Sequence, residues 1–425
     1  MATTTLRREV EYVAPTRQRV MGGIFVAAGL IIWWFFSRGM GSDVVTKFGM
    51  TSGGFKSTMP DLILPTQLTL NILAIACVAL GIYQLARPHG FGRRTNLVLG
   101  LVAAMFVFAF LTWATAGKSL NLAGLFNTTL SKAVPLTLGA LSGILCERAG
   151  VINIAIEGMM LMGAMTGALV GSITGNLWIG LLAAVFSGLL LGMVHGVLAI
   201  KYKTNQIISG TAINIFATGL TSYVSARFMQ TYQELNNPGT FGPWEIPGLS
   251  NIPFFGPILF NNNVFVYSMF IFLFLIQFGL FYTRWGLRHR AVGEHPRAAD
   301  TLGINVFRTR YIAVFLGSMM AGFAGGYFTL GSVGRFDEVM TAGRGFISLA
   351  AMLFGNYMPF GAFGASLLFG FSDALASRLA ILGVKIPSQF LLMTPYIVTM
   401  VVLAGVVGRA QVPAADGVPY EKEGG

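Results

Sequence analysis

Long apolar runs separated by short polar stretches are the main pattern in this chain. Several runs reach the roughly 20 residues that an α-helix needs to cross a bilayer. The short alternating pattern that membrane β-barrel strands require does not occur. The chain is therefore predicted to be an all-α, polytopic membrane protein with about 10–12 transmembrane helices. The candidate spans are 20–36, 64–86, 96–116, 122–145, 151–173, 177–200, 205–228, 263–283, 308–331, 344–358, 360–383 and 388–408.

Two of these spans, those that begin at residues 151 and 344, are rich in glycine or short. Either can be a half-helix that enters the membrane and returns. They also begin the two copies of a weak internal repeat, at 150–220 and 343–400, which have opposite orientations in the predicted topology. Inverted repeats are common in transporters, where the pathway lies at their interface. The sequence thus predicts a pseudo-symmetric inverted repeat, and compositional likeness among glycine-rich helices is the alternative.

Composition supports the membrane interpretation and narrows the function. Of 425 residues, 54% are hydrophobic and 10% are charged, whereas soluble domains carry about 25% charged residues. The net charge of +12 does not indicate nucleic-acid binding, because the basic residues cluster at the ends of apolar runs. The two cysteines, Cys77 and Cys146, lie in apolar segments, and no Cys/His spacing typical of a metal site occurs.

The distribution of Lys and Arg among the loops predicts the orientation in the membrane. When the N-terminus is placed in the cytoplasm, most basic residues fall in inside loops, as the positive-inside rule requires. The long loop 229–262 has no Lys or Arg and suits the outside face. Both termini are therefore expected in the cytoplasm, and so is the short polar segment GEHPRAADTLGI at 293–304.

This polar segment, 293–304, has the features of a short helix. Pro296 suits a first turn and Gly303 suits the position just past the end. A helix of about two turns is marginal alone in water, so it is expected to be held against something. It is either a plug for a groove on a cytoplasmic partner or a solvated linker. The expected small face is Ala298, Ala299 and Leu302, with Arg297 and Asp300 on its rim.

Several motifs resemble one transporter family. Glu294, the alanine pair and Gly303 resemble the coupling segment of ABC importer permeases, which docks into the ATPase. The resemblance extends over about 120–425 to the sugar, nucleoside and branched-chain amino-acid permease superfamily, and the nucleoside (guanosine-type) branch is the most similar. The matching stretches are ERAGVINIAIEGMMLMGAMTG, GEHPRAADTLGINVFRTRY, MTAGRGFISLAAMLFGNYMPFGAFGASLLFGFSDAL and PAADGVPYEKE.

The resemblance implies a set of partners. ABC ATPase subunits bind the ATP, so no cofactor and no catalytic residue is expected in this chain. A second, related permease completes the pathway, commonly as a heterodimer, and an extracytoplasmic substrate-binding lipoprotein delivers a nucleoside. A simple sugar such as ribose or galactose is the alternative substrate. The expected location, among the lipids of a bacterial cytoplasmic (inner) membrane, follows from the same resemblance.

The sequence agrees that this chain hydrolyses nothing. A phosphate-binding loop needs G-x-x-x-x-G-K-[ST], and the nearest approach, at 117–119, has Thr112 in place of the first glycine. An ion-coupled secondary carrier is a competing hypothesis, with Glu157 and Asp373 as the ion sites. The helix at 293–304 favours the importer, because a carrier needs no ATPase dock.

The chain is accordingly divided into functional segments. They are a cytoplasmic N-terminal tail at 1–19, extra N-terminal helices with an outer loop at 20–119, the permease core at 120–408 with its coupling helix at 293–304, and a cytoplasmic C-terminal tail at 409–425.

Polar side chains inside apolar spans are candidates for the translocation pathway, because they are costly in lipid. Glu157 is the clearest, and either it lines the pathway or it caps a neighbouring half-helix. His195 is more typical of an interhelical hydrogen bond, and Asn205 is typical of a helix N-cap. Asn153, four residues before Glu157, is expected on the same helix face. The pathway candidates are Asn153, Glu157, Gln206, Asn214 and Asp373.

Overall fold

The structure, a computed structural model, describes residues 15–51, 59–87, 89–384, 390, 393 and 411–422. Within these residues, ten helices are long and apolar enough to cross a membrane. The prediction of an all-α, polytopic membrane protein is thereby confirmed. Nearly all of the predicted span 388–408 and the start of the N-terminal tail lie outside the described residues, so the second copy of the predicted repeat is only partly described.

The ten long helices correspond to ten of the twelve predicted spans, with bounds that differ by a few residues. Four continue into a final π-helical turn, ending at Ser37, Lys201, Met229 and Val333. They are α1 (Pro15–Ile31), α2 (Thr66–Ala86), α3 (Thr95–Ala114), α4 (Leu122–Glu147), α5 (Ile156–Thr174), α6 (Leu177–Gly196), α7 (Gln206–Val224), α9 (Val264–Tyr282), α12 (Val306–Gly326) and α14 (Pro359–Ile381).

The shorter elements lie between these spans. The loop after α7 contains two 3₁₀ turns and a two-stranded antiparallel ribbon. The short helices are α8 (Phe255–Leu259), α10 (Arg284–Glu294), α11 (Pro296–Thr301) and α13 (Arg344–Phe354). The strands are β1 (Val45–Gly49), β2 (Leu62–Pro65), β3 (Ser119–Asn121), β4 (Trp244–Glu245) and β5 (Asn261–Asn262).

The chain forms two compact units, of which the first comprises residues 1–122 and 379–387. Its helices α1, α2 and α3 bury an apolar core that includes Phe25 and Leu70. Beside them β1 pairs antiparallel with β2 and parallel with β3. The buried hydroxyl of Thr46 donates to the carbonyl oxygen of Thr112, which ties the sheet to the end of α3.

The second unit, residues 123–378 and 388–425, contains most of the permease core. Its helices α5, α6 and α12 pack tightly because glycines lie where they cross. A Cβ added at Gly188 would lie 2.5 Å from the carbonyl oxygen of Ser318, and one at Gly163 would lie 2.5 Å from that of Gly322. Small residues let membrane helices approach closely, which strengthens the van der Waals contact that holds them together.

Both of the short predicted spans prove to be irregular. The span predicted from residue 151 becomes helical only at Ile156, after a turn at the left-handed Gly150 (φ 84°) and a non-helical stretch at 151–155. The span predicted from residue 344 is α13, an 11-residue helix that is too short to cross a bilayer. The non-helical stretch 151–155, between α4 and α5, is called the helix break below.

Candidate functional site

The helix break, residues 151–155, exposes backbone groups that a continuous helix would pair internally. Because this stretch is largely buried, such groups must find other partners. Gln206 accepts a hydrogen bond from the Ile152 amide at 2.7 Å. Asn214 donates to the Ile154 carbonyl oxygen at 2.9 Å and accepts from the Gly158 amide at 2.8 Å. These two pathway candidates are therefore buried and bound to backbone.

Two neighbouring polar residues have the roles that their sequence context predicts. The His195 Nε2 atom lies 2.9 Å from the Ile152 carbonyl oxygen, and its Nδ1 atom lies 3.2 Å from the Ser209 hydroxyl. This histidine thus connects α6, α7 and the helix break. Asn205 caps α7, since its side chain accepts from the amides of Ile207 and Ile208 at 3.0 and 3.2 Å.

Glu157 has the geometry of a helix cap. Its Oε1 atom accepts from the Thr341 hydroxyl at 2.6 Å and from the Gly343 amide at 2.8 Å. Its Oε2 atom accepts from the Gly345 amide at 2.6 Å. The carboxylate thus lies at the N-terminus of α13, where the unpaired amides and the helix dipole favour a negative charge. Of the two sequence interpretations, this contact pattern corresponds to capping.

Asn153 does not share a helix face with Glu157, contrary to the sequence prediction. The prediction assumed one helix through both residues, but Asn153 lies in the helix break and α5 begins only at Ile156. Its buried amide points to sulfur, with Nδ2 3.5 Å from Cys146 Sγ and 3.9 Å from Met159 Sδ. Its Oδ1 atom has no partner among the described residues.

Asp373, the last pathway candidate, belongs to a group of charged side chains on α4, α13 and α14. Lys132 Nζ donates to Asp373 Oδ2 at 2.8 Å and to the Ser377 hydroxyl at 3.3 Å. Arg344 Nη2 lies 3.8 Å from the same carboxylate oxygen. We call Lys132, Arg344, Asp373 and Ser377 the charged group. Sequence reasoning missed Lys132, although a lysine inside the apolar span 122–145 was a signal for it.

The segment at 293–304 forms the short helix that its sequence predicts. Pro296 is in the first turn, the His295 ring accepts from the Ala298 amide at 3.1 Å, and Gly303 takes the left-handed conformation (φ 82°). The Ile304 amide closes the end by donating to the Ala299 carbonyl oxygen at 3.1 Å.

The predicted alanine face of this helix is split by the structure. Ala299 is 2% exposed and packs inside the chain against Val292, Val306 and Tyr420. Ala298 is exposed, and Leu302 is 81% exposed. The prediction of one shared face was therefore wrong, because a helix of six residues rests on its own chain along the side that carries Ala299. The outward side also carries Glu294 and Arg297, while Asp300 is half-buried and lies 3.8 Å from Lys422 Nζ.

The C-terminal tail, residues 411–422, packs against this segment, which sequence reasoning did not predict. The Ala415 amide donates to the Gly293 carbonyl oxygen at 2.9 Å, and the Ala414 amide donates to Glu294 Oε2 at 3.2 Å. Arg310 Nη1 donates to the Val418 carbonyl oxygen at 2.9 Å. A Cβ at Gly417 would lie 2.6 Å from Ile152, so the tail also contacts the helix break.

The tail and the 293–304 segment line a surface cavity of about 550 Å³. Beside it, burial raises the pKa of Asp416 to about 7, and the nearby charge of Arg310 works in the opposite direction. Burial also lowers the pKa of His289 in α10 to about 4. The residues that line the cavity are Glu294, His295, Pro296, Arg297, Ala414, Ala415, Val418, Pro419, Tyr420 and Glu421.

These features define a class of protein. Ten apolar helices, a broken helix held by polar side chains and a short capped helix with an exposed face are typical of a polytopic membrane transporter. The family model for the branched-chain amino acid transport system permease component matches residues 125–409. The chain belongs to this family of membrane permeases.

Individual relatives are similar over most of their length. The guanosine ABC transporter permease protein NupQ of Bacillus subtilis is 42% identical over 69% of this chain and 95% of its own. The nucleoside ABC transporter permease protein NupC of Lactococcus lactis is 40% identical over 68% of this chain and 94% of its own. A putative glucose ABC transporter permease protein of Haloferax volcanii is 35% identical over 60% of this chain and 78% of its own. No solved structure matches the chain.

Proposed function

We propose that this chain is a permease subunit of an ATP-driven ABC importer and that the importer carries nucleosides. The observation that carries the proposal is the 40–42% identity to permeases named for guanosine and nucleosides, over nearly their whole length. Both relatives are named as permease proteins and not as enzymes. In this importer the chain forms part of the membrane pathway, and separate ATPase subunits bind and hydrolyse ATP.

The docking surface for the ATPase is the outward side of the 293–304 segment. Glu294, Arg297, Ala298 and Leu302 are exposed there, and Leu302, with 81% exposure, is an apolar side chain that a docked partner would bury. Gly303 supports the helix end, and Ala299 with Asp300 secures the helix to its own chain. This surface faces the cytoplasm in the orientation that the positive-inside rule favours.

A second, related permease and an extracytoplasmic binding lipoprotein complete the proposed importer. The pairing is supported by the match of this chain to two permeases of Bacillus subtilis, both named for guanosine, at 42% and 24% identity. Two different chains of one organism and one named substrate are what a heterodimeric pathway requires.

The pathway candidates divide into two proposed roles. Asn153, Glu157, Gln206 and Asn214 shape the region around the helix break, because their polar atoms are buried within it. Asp373 is the proposed lining residue, because its side chain remains 32% exposed. An ion-coupled carrier would leave the exposed helix at 293–304 without a function.

A sugar is the second candidate substrate. The similarity to a putative glucose ABC transporter permease favours it, at lower identity and lower coverage than the nucleoside relatives. Reconstituted uptake of tritiated guanosine and of tritiated glucose, each with the cognate binding protein, separates the two. Guanosine uptake that requires ATP is the expected result.

The docking proposal is tested by a matched pair of variants, Ala298→Glu and Ala299→Glu. Ala298→Glu is expected to leave the permease stable in membranes but to weaken co-purification of the ATPase, because the added side chain lies on the exposed face. Ala299→Glu is expected to lower the abundance of the permease itself, because it buries a charge beside Val292 and Tyr420.

The outcome that contradicts docking is specific to the first variant. An Ala298→Glu permease that recovers the ATPase in full, with ATP hydrolysis and uptake unchanged, would show that this helix side makes no contact. Leu302→Asp, at the most exposed position of the segment, checks the same surface with an independent substitution.

A further inference from the structure

The charged group lies inside the membrane-spanning part of the second unit. Helices α4 and α14 run antiparallel there, since Asp373 meets Lys132 while Arg378 Nη2 lies 3.2 Å from the Thr128 hydroxyl. Lys132 is about 15 Å along α4 from Leu122, at 1.5 Å per residue. This depth is well inside a hydrocarbon core about 30 Å thick, so the environment of these charges must be specifically polar.

The charged group is partly open, unlike the polar residues of the helix break. The side chains of Lys132, Arg344 and Asp373 are 26%, 30% and 32% exposed. Charged side chains in membrane spans face a water-filled cavity or a protein partner, because contact with lipid is costly. Thr128 and Ser131, on the same side of α4, are also half-buried, so a polar strip continues along the helix.

The charged group retains hydrogen-bonding capacity for a solute. Both cations lie nearest to Asp373 Oδ2, so Oδ1 is the oxygen that can accept from a solute hydroxyl. The Lys132 ammonium has three N–H donors, of which Asp373 and Ser377 occupy two. Two cations, Lys132 and Arg344, face one carboxylate, which disfavours a cationic solute.

We propose that Lys132, Asp373 and Arg344 form a solute-contact site in the translocation pathway for a neutral solute with adjacent hydroxyls, such as the ribose of a nucleoside. Asp373 accepts a hydrogen bond from one hydroxyl, and Lys132 donates to the oxygen of the next. The side chain of Arg344 holds the carboxylate in place from α13. The inference deepens the proposed function and rests on it.

The first test measures transport and selectivity together in proteoliposomes that hold the whole importer. The binding protein is saturated with tritiated guanosine or with tritiated 2′,3′-dideoxyguanosine. A difference in its affinity for the two solutes therefore does not affect the measured uptake rates. Asp373→Asn and Lys132→Met are each expected to slow guanosine uptake about tenfold, the size expected for losing a hydrogen bond to a charged group. Uptake of the dideoxy compound should change little, so the preference for guanosine should fall.

Two controls separate a solute contact from a structural ion pair. Lys47→Met and Asp61→Asn break an ion pair of 3.0 Å in the first unit and are expected to leave uptake unchanged. The double variant Lys132→Met/Asp373→Asn removes both charges and leaves neither one unpaired. If the pair were purely structural, this variant would therefore recover wild-type uptake. Wild-type uptake and guanosine preference in the double variant would overturn the proposal, whereas loss of both at normal abundance would support it.

A second measurement does not depend on transport rate. Ser131→Cys places a thiol beside the charged group, and the native Cys77 and Cys146 are buried. A small, charged, membrane-impermeant thiol reagent is expected to label the new cysteine, and guanosine delivered by the binding protein is expected to slow the labelling. A cysteine that stays unlabelled would indicate that a partner chain or lipid covers this strip, which contradicts the proposal.

The failures of this inference and of the proposed function are distinguishable. If the ATPase co-purifies and guanosine uptake requires ATP, but Asp373→Asn changes neither uptake nor preference, only the site is wrong. If wild-type permease recovers no ATPase and gives no ATP-dependent uptake, the proposed function fails, and the site fails with it.

Discussion

The helix break and the charged group both place polar side chains inside membrane-spanning helices, but their hydrogen bonds go to different partners. At the break, Gln206 and Asn214 bind backbone amides and a carbonyl, and both residues are less than a tenth exposed. In the charged group, Lys132 and Asp373 bind other side chains, and they and Arg344 remain about a third exposed. A polar residue in an apolar run therefore does not by itself indicate contact with a solute.

The difference follows from what each region must satisfy. The non-helical stretch 151–155 connects two spanning helices and is largely buried, so its amides and carbonyls would cost several kcal/mol each when unpaired, and nearby side chains are committed to them. In the charged group, Lys132 and Asp373 bond to side chains, although Arg344 and Ser377 also bond to backbone carbonyl oxygens. The hydrogen-bonding capacity that Lys132 and Asp373 retain is available for another ligand.

The largest effect is expected from Glu157→Ala, because Glu157 caps α13. This substitution removes three hydrogen bonds to a carboxylate and leaves the Gly343 and Gly345 amides without that partner. The free energy of unfolding should fall by about 3–5 kcal/mol. Glu157→Gln keeps one acceptor oxygen and should lose less. Thermal unfolding in detergent measures both variants.

The opposite pattern would contradict the capping role of Glu157. A Glu157→Ala permease with unchanged thermal stability and normal abundance, but with lost uptake, would assign Glu157 to the pathway and not to the cap. Arg335→Ala provides a control, because this residue forms a solvent-exposed ion pair with Asp337 near the same end of α13 and should change stability little.

A smaller effect is expected from Asn214→Ala at the helix break. It leaves the Gly158 amide and the Ile154 carbonyl oxygen without partners, so the free energy of unfolding should fall by about 2 kcal/mol. Asn205→Ala, on the same helix, removes only an exposed cap and should cost about 1 kcal/mol. Equal losses in the two variants would indicate that the break does not depend on Asn214.

Several parts of the fold were predictable because they depend on local sequence. Hydropathy predicts the spans, and Pro296 with Gly303 predicts the ends of a short helix, since both act through their own backbone preferences. Asn205 is similar, because a cap bonds to amides two and three residues away.

The remaining features depend on contacts between distant residues. Lys132 and Asp373 are 241 positions apart, so no local pattern joins them. The burial of Ala299 depends on Tyr420 in the tail, and the separation of Asn153 from Glu157 depends on side chains of α6 and α7 that stabilise a break. These features depend on tertiary packing, and a single sequence contains no local signal that predicts such packing.

The smallest effect is expected from Asp416→Asn, and it concerns how firmly the tail holds the 293–304 segment. Because the pKa of Asp416 is raised from 3.8 to about 7, its protonated form is favoured when the tail is docked. Its contribution is complete below about pH 4 and is lost as the pH rises through about 7. Glu147 and Arg310 face this carboxyl, and both favour its charged form, against the effect of burial.

Hydrogen exchange of the Ala414 and Ala415 amides at pH 6 and pH 8 measures how firmly the tail is docked, after correction for the intrinsic pH dependence of exchange. In the wild type, protection should fall several-fold between the two values, whereas in Asp416→Asn it should change less, because the amide cannot ionise and Glu147 is the carboxyl that remains there. Lys203→Met removes an exposed ion pair with Glu421 in the same tail and should leave the pH dependence intact. If protection in the wild type is the same at both pH values, the carboxyl does not control docking, and the backbone bonds from the tail to Gly293 and Arg310 are sufficient to hold it.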